Sequence, residues 1–287
     1  MRLGAWVFGY TNAKEWAELH VRHGYGAAYW PLRPGADMRL EEEYVCEARR
    51  HDLLLAEVGA WNNLLAADNL ERKKNMEDTV RALKLADRVH AVCCVNISGS
   101  LSDTWDGPHP DNLTDKTFRR ITDMICRILD RADPQYTCYT VEPMPWMYPD
   151  GIESMRRLLD AVDHPRFAVH ADMCNLMNSF DRIFRNGAYT REFFREFGSQ
   201  IRSVHAKDIQ VGKKLTMHVQ EVLPGEGVFD YEALLSVCKS LNPDLPVMAE
   251  HLDTEEEYVR ATGYIRRKAE ALGLPLLCAH LPKEEKV

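Results

Sequence analysis

The chain has eight cysteines but no C-x-x-C pair. Several fall inside apolar runs, so a paired-cysteine metal or redox motif is excluded and reduced, buried thiols are expected. Positive charge is in short supply: 36 Lys and Arg face 44 Asp and Glu, for a formal net charge of −8. Nucleic-acid surfaces rely on a basic stripe that neutralises phosphates, so the balance disfavours nucleic acid and favours a small neutral substrate. No run approaches the roughly 18 apolar residues of a membrane span, and the opening MRLGAWVFGYTN lacks the features of a signal peptide. A soluble, cytoplasmic protein with no membrane partner is the expectation. G-x-S-x-G, Walker A, H-E-x-x-H and G-x-G-x-x-G signatures are missing from any usable context.

What is present is alternation. Apolar, β-rich runs at 3–8, 26–30, 53–59, 89–97, 137–142, 167–172, 201–207 and 246–250 are separated by amphipathic helical patterns. The helical patterns lie near 12–23, 40–51, 69–88, 114–132, 151–162, 190–197, 230–240 and 254–271. Thr114, Asp230 and either Asp253 or Thr254 read as N-caps, and Asp52 and Gly198 fall near helix ends. Eight strand–helix pairs over 287 residues, with no linker or repeat between them, predict a single (β/α)8 TIM barrel spanning 1–287. The tail after Leu274, ending PKEEKV, reads as a solvated extension.

Four of the runs, TCYTVE, FAVHAD, IRSVHAKD and LPVMAE, carry Glu142, Asp172, His205 and Glu250 at their C-terminal edges. Strand ends of such a barrel converge on one face, so four ligand-type residues there would meet around one point. Each could instead cap a helix or sit in an ion pair; four in register make coincidence harder to sustain. Three carboxylates and an imidazole suit one divalent metal ion, with Mn²⁺, Co²⁺, Mg²⁺, Zn²⁺ and Fe²⁺ all open. The cation would polarise a hydroxy-ketone and stabilise an enediolate, with Glu142 and Glu250 as the catalytic pair that removes and returns the proton and Asp172 and His205 as ligands only.

The E, D, H, E series, the H-A-K-D segment around His205 and the later P-G-E-G-x-x-D resemble the xylose-isomerase-like barrels grouped as sugar phosphate isomerases/epimerases. The resemblance covers nearly the whole chain. The group includes ketose 3-epimerases, hydroxypyruvate isomerase and inosose dehydratase, and more distantly endonuclease IV. It implies that Glu142, Asp172, His205 and Glu250 bind one Mn²⁺-like ion and that Glu142 and Glu250 exchange protons with a sugar or keto-sugar; related barrels often pair, which leaves a homo-oligomer open. Two positions depart. Asn175 stands where the ketose epimerases have a substrate-binding His, and Val211 where they have an Arg. These departures put free-ketose epimerisation in doubt and keep open a lyase that expels a β-substituent from a keto-sugar, as in inosose dehydration or the cleavage of 3-keto-glycosides and C-glycosides. The match to the three-zinc ligand set of endonuclease IV is too thin to support DNA repair. A non-catalytic sugar-binding or scaffolding subunit is the reading from a different class.

Three loops are longer than connection requires: 98–112, 173–189 and 208–230. They carry Trp105, His109, Phe180, Phe184, Tyr189 and His218, a content suited to substrate recognition. Asn175, His170, Lys207, His218, Trp105, Trp61 and Trp146 are the candidate substrate-binding residues. His170 shares the inward parity of Asp172 and could equally be a satisfied core histidine, and Lys207 a structural ion-pair member. Indoles at strand ends offer flat faces for the C–H side of a sugar ring. Cys174 is not assigned as a ligand, and the P-G-E-G segment, without a lysine, is read as a turn.

Overall fold

The computed structural model describes residues 1–282. Its strands are β1 (Arg2–Gly4), β2 (Ala27–Tyr29), β3 (Leu54–Gly59), β4 (Cys93–Asn96), β5 (Cys138–Val141), β6 (Phe167–Asp172), β7 (Ile201–Ala206), β8 (Asp208–Val211), β9 (Val219–Val222) and β10 (Pro246–Ala249). Eight of these close a barrel in the order β1-β10-β7-β6-β5-β4-β3-β2, and β8 and β9 pair apart from it. The helices are α1 (Ala13–His23), α2 (Met38–Arg50), α3 (Asn69–Val89), α4 (Asp115–Ala132), α5 (Ile152–Val162), α6 (Phe180–Phe184), α7 (Asn186–Phe197), α8 (Tyr231–Leu241) and α9 (Glu255–Ala271). The eight expected strand–helix pairs are all present. The chain forms two compact units, one of 1–56, 186–191 and 204–282, the other of 57–185 and 192–203.

In the first unit β1 lies between β10 and β2, with Leu3 opposite Val247 and Gly4 opposite both Met248 and Ala27. Gly4 is required there: a Cβ would lie 2.5 Å from the Ala27 carbonyl and the Met248 sulfur. Ala27, Tyr29, Ala56 and Met248 form a buried cluster, with Leu54 packed against it. Asn12 caps α1 by accepting from Glu15 N–H, and Gly24 ends it at φ 65°. Thr254 and Glu257 form a reciprocal capping box at the start of α9, so Thr254 rather than Asp253 is the cap.

Two expectations for this unit are corrected. The tail after Leu274 is not a free extension up to residue 282: Leu277, Ala279 and His280 donate backbone hydrogen bonds to Met1, Tyr25 and His51. Gly26 makes room for this strap, since a Cβ there would meet the Leu277 carbonyl at 2.0 Å. The last residues, 283–287, lie outside the described chain. The long segment after β7 is not a plain loop: β8 and β9 form an antiparallel hairpin with Ile209 opposite Glu221 and Val211 opposite Val219.

In the second unit β3, β4, β5 and β6 are parallel neighbours, with Val58 opposite Cys94, Cys94 opposite Tyr139 and Thr140 opposite Ala168. Asp68 caps α3 and Thr114 caps α4 through side-chain oxygens. The run expected as strand over 89–97 begins later, at Cys93, because α3 continues to Val89 and His90 ends it in the left-handed region at φ 59°. The segment after β6 is not loop as far as Tyr189, as its sequence suggests. It holds the short helix α6, capped by Ser179, and runs into α7, whose first residues, 186–191, belong to the first unit.

Candidate metal centre

Glu142 follows β5 directly and Asp172 is the last residue of β6. Asn175 ties the two together: its backbone N–H donates to Asp172 Oδ1 at 2.9 Å and its side-chain amide to Glu142 Oε1 at 3.1 Å. The residue that departs from the ketose-epimerase pattern is thus packed against the two carboxylates as a donor.

On β7 and β10 the pairing of His205 with Met248 brings His205 beside Glu250, two residues further on. His205 Nδ1 lies 2.8 Å and Lys207 Nζ 2.9 Å from Glu250 Oε2. Lys207 is 1% exposed, so this is a desolvated ion pair. Its ammonium also lies 3.1 Å from His251 Nδ1, and that same nitrogen is 3.1 Å from Glu221 Oε2 of β9. His251 takes φ 55°, which turns the chain sharply after Glu250. Burial alone would raise the Glu250 carboxyl, but the His205 and Lys207 charges and the hydrogen bond from His205 outweigh it and hold Glu250 at about 2. The hydrogen bond to Glu221 raises His251 against the opposing effect of burial.

Glu142, Asp172, His205 and Glu250 are all buried, at 4, 0, 2 and 9% exposure. Each presents a ligand atom within 4.8 Å of those of the other three. A second buried group of the same kind is Glu57, His170 and His205. His170 Nε2 lies 3.2 Å from Glu57 Oε1, which also accepts a hydrogen bond from Ser203 Oγ. Glu57 escaped sequence reasoning, although a carboxylate inside the apolar strand LLAEVG is the kind of isolated charge that flags a polar network.

The remaining candidates are placed as follows. Trp61, Trp105 and Trp146 are 41, 43 and 38% exposed. Trp146 is anchored by a 2.7 Å bond from Nε1 to the Asp106 carbonyl, which ties the β5 loop to the β4 loop. Gly59 lets the Trp61 ring fold back onto the backbone, since a Cβ would come within 2.2 Å of its Nε1. His218 lies exposed in the turn of the β8–β9 hairpin, 3.2 Å from the Leu215 carbonyl. His109 caps a short 3₁₀ turn at 110–113. The P-G-E-G segment is a turn whose organiser is Asp208: its carboxylate accepts from the backbone N–H groups of Ile209, Gly225, Gly227 and Phe229. A Cβ on Gly227 would strike Asp208 Oδ1 at 2.1 Å, which accounts for the glycine.

Comparison with known proteins gives the architecture a name. Endonuclease IV from Thermus thermophilus has 17% identity, covers 94% of this chain and 100% of its own, and superposes with a TM-score of 0.71. A probable 3-DHS dehydratase of petrobactin synthesis from Bacillus anthracis has 13% identity, coverage of 94 and 98%, and a TM-score of 0.68. The 3-keto-D-glucoside 4-epimerase of E. coli has 14% identity, coverage of 93 and 99%, and a TM-score of 0.67. At such identities these likenesses establish the fold. No curated protein sequence matches the chain. The family model of the xylose isomerase-like TIM barrel matches residues 16–268, which is most of the chain and takes in all four carboxylate and imidazole positions. The chain belongs to the xylose isomerase-like TIM barrel family.

Proposed function

We propose that the protein is a divalent-metal-dependent enzyme that isomerises or epimerises a sugar or keto-sugar by moving a proton at the carbon next to a carbonyl. One observation carries the reading: three buried carboxylates and one imidazole offer ligand atoms within 4.8 Å of one another. Carboxylates so close repel one another when ionised; Lys207 offsets the charge of Glu250, and a cation would offset that of Glu142 and Asp172 as well. The mixed oxygen and nitrogen donor set of Glu142, Asp172, His205 and Glu250 fits a divalent cation, Mn²⁺ first. When bound, such an ion supplies Lewis-acid polarisation of the substrate carbonyl. Family membership and the likeness to an epimerase and a dehydratase support the same class of chemistry.

Within this reading Glu142 and Glu250 handle protons: one carboxylate takes the proton from carbon and the other returns one to the opposite face or the neighbouring carbon. Asn175 holds Glu142 by Oε1 and Lys207 holds Glu250 by Oε2, which fixes their orientation. Asp172 and His205 act as ligands. The exposed indoles of Trp61, Trp105 and Trp146 offer stacking faces for a sugar ring. Among the described residues no helix is long and apolar enough to cross a membrane.

A lyase is the second reading, favoured by Asn175 and Val211 at the two positions that depart from the ketose epimerases and by the Lys207 ammonium 2.9 Å from Glu250. There the same deprotonation is followed by breakage of a carbon–oxygen bond at the β position, and in this reading Lys207 donates the proton the departing oxygen needs.

The test is elemental analysis of wild type and Asp172→Ala, then solvent deuterium exchange into keto-sugars with Glu142→Gln alongside. About one metal per chain in wild type only, with exchange lost in Glu142→Gln, supports the reading. A wild type that stays metal-free after incubation with these ions refutes it. Release of a β-substituent separates lyase from epimerase.

A further inference from the structure

In the second unit, α3 and α4 enclose a groove of about 340 Å³ whose lining includes no residue of the metal centre. Four cations line it, Arg72, Lys73, Arg127 and Arg131, against one acid, Glu77. Its floor is apolar, made by the half-buried Met76 and the buried Met124. In a chain of net charge −8 such a local excess of positive charge is unusual and needs an explanation.

The four cations are not equivalent. Arg131 is committed to Glu77, with Nη2 to Oε2 at 2.5 Å. Arg72 is spread over the carbonyls of Ala66 and Ala67 and the Asn69 side chain, contacts that fix its guanidinium without neutralising it. Lys73 and Arg127 make no ion pair among the described residues. The groove therefore keeps a fixed, unneutralised guanidinium and two uncommitted cations around an apolar floor. Arg120, beside the groove, shows the field: burial first, and then the charge of Arg72, weaken its hold on its proton.

We propose that this groove is a second ligand site that takes a small organic phosphate, its anionic group held by Arg72, Lys73 and Arg127 and its apolar part on Met76 and Met124. The volume lies at the small end of ordinary ligand sites. Guanidinium groups bind phosphate oxygens in pairs, while the lysine supplies a mobile point charge. Methionine fits flat or irregular apolar groups because its thioether is flexible and polarisable. An inorganic anion alone would use the cations and leave the floor uncovered, so an organic phosphate is held more tightly than phosphate itself.

The test is titration calorimetry of the full, metal-loaded protein with AMP and, separately, inorganic phosphate. The variants are Lys73→Ala/Arg127→Ala and, as a control for the metal centre, Asp172→Ala. Lys73 and Arg127 are exposed, so the double variant keeps its fold. The expected result is AMP binding that weakens at least about tenfold in the double variant, is unchanged in Asp172→Ala, and exceeds that of phosphate. No binding of AMP to wild type overturns the proposal. So does equal affinity in wild type and the double variant, or binding lost only in Asp172→Ala, which would place the ligand at the metal centre. Equal affinity for AMP and phosphate would remove the role of the apolar floor and overturn the organic-phosphate assignment.

Discussion

Replacing Asp208 by Asn tests whether one carboxylate organises the chain beyond β7. Asp208 is 1% exposed. Its Oδ1 accepts from Ile209 and Phe229 at 2.8 and 2.9 Å and its Oδ2 from Gly225 and Gly227 at 2.9 and 3.1 Å. Asparagine has one acceptor oxygen, so whichever way the amide turns, its NH₂ faces two N–H groups and both lose their partner. The less costly orientation turns the NH₂ toward Gly225 and Gly227, which are exposed and half-buried, because water can reach them while Phe229 is buried. Two orphaned donors cost about 1 kcal/mol each at such a site, and losing the charge on the two retained bonds costs about another 1 kcal/mol. The expected loss is about 2–4 kcal/mol. At roughly 2–4 °C per kcal/mol for domains somewhat smaller than this one, the melting temperature falls by about 4–16 °C. Urea unfolding measures the loss, and amide exchange locates it: protection of Gly225 and Gly227 should drop while α1 and α2 stay protected. A loss under about 1 kcal/mol with unchanged exchange at those glycines would refute the organising role.

Three further outcomes are expected. Asp172→Ala should reduce bound metal from about one per chain to a small fraction in elemental analysis, and adding Mn²⁺ should raise the melting temperature of wild type but not of the variant, as binding to the folded state alone requires. Gly26→Ala should destabilise by about 2–4 kcal/mol and expose the Leu277 and Ala279 amides to exchange, because the new methyl group displaces the Leu277 carbonyl that it would otherwise meet at 2.0 Å. Asp87 accepts from the backbone N–H groups of Gln135, Tyr136 and Thr137. Burial works to raise its carboxyl, but these bonds prevail and leave it below the ordinary 3.8. A depressed folded value means stabilisation that is complete above pH ~4 and fades as pH falls through the folded value, so the deficit of Asp87→Asn, about 1 kcal/mol at pH 7 after solvent screening, should shrink in acid urea melts. A deficit that is constant from pH 7 to 2.5 would refute this.

The barrel was legible because its physics is periodic: apolar runs alternate with amphipathic ones, and caps such as Thr114, Asp230 and Thr254 mark the joins with side-chain oxygens. The run LADRVHAVCCVN misled because helix α3 passes into β4 with no glycine or proline between them; His90 ends the helix in a left-handed conformation that its residue type does not announce. The β8–β9 hairpin hid behind the polar stretch GKKLTMH and the exposed faces of Gln210, Gln220 and Glu221.

The strand-end positions of the four ligand-type residues could be found from the sequence, because in a barrel the end of a strand is also a place in space. What holds those residues could not. Asn175 reaches Glu142 across 33 residues of sequence, and Glu57 reaches His170 across 113. Neither partner carries a local signal, since a side-chain bond between two loops or two inward strand faces depends on register and χ angles that no short window of sequence encodes. The same distinction separates the two polar groups around His205. Glu142, Asp172 and Glu250 sit at strand ends, where a cation and a substrate can approach, whereas Glu57 lies within β3, is 1% exposed and is already engaged by His170 and Ser203. Depth along the strand thus distinguishes the carboxylates: the strand-end set lies where barrel enzymes build their sites, and the mid-strand Glu57 is held in a polar network of its own.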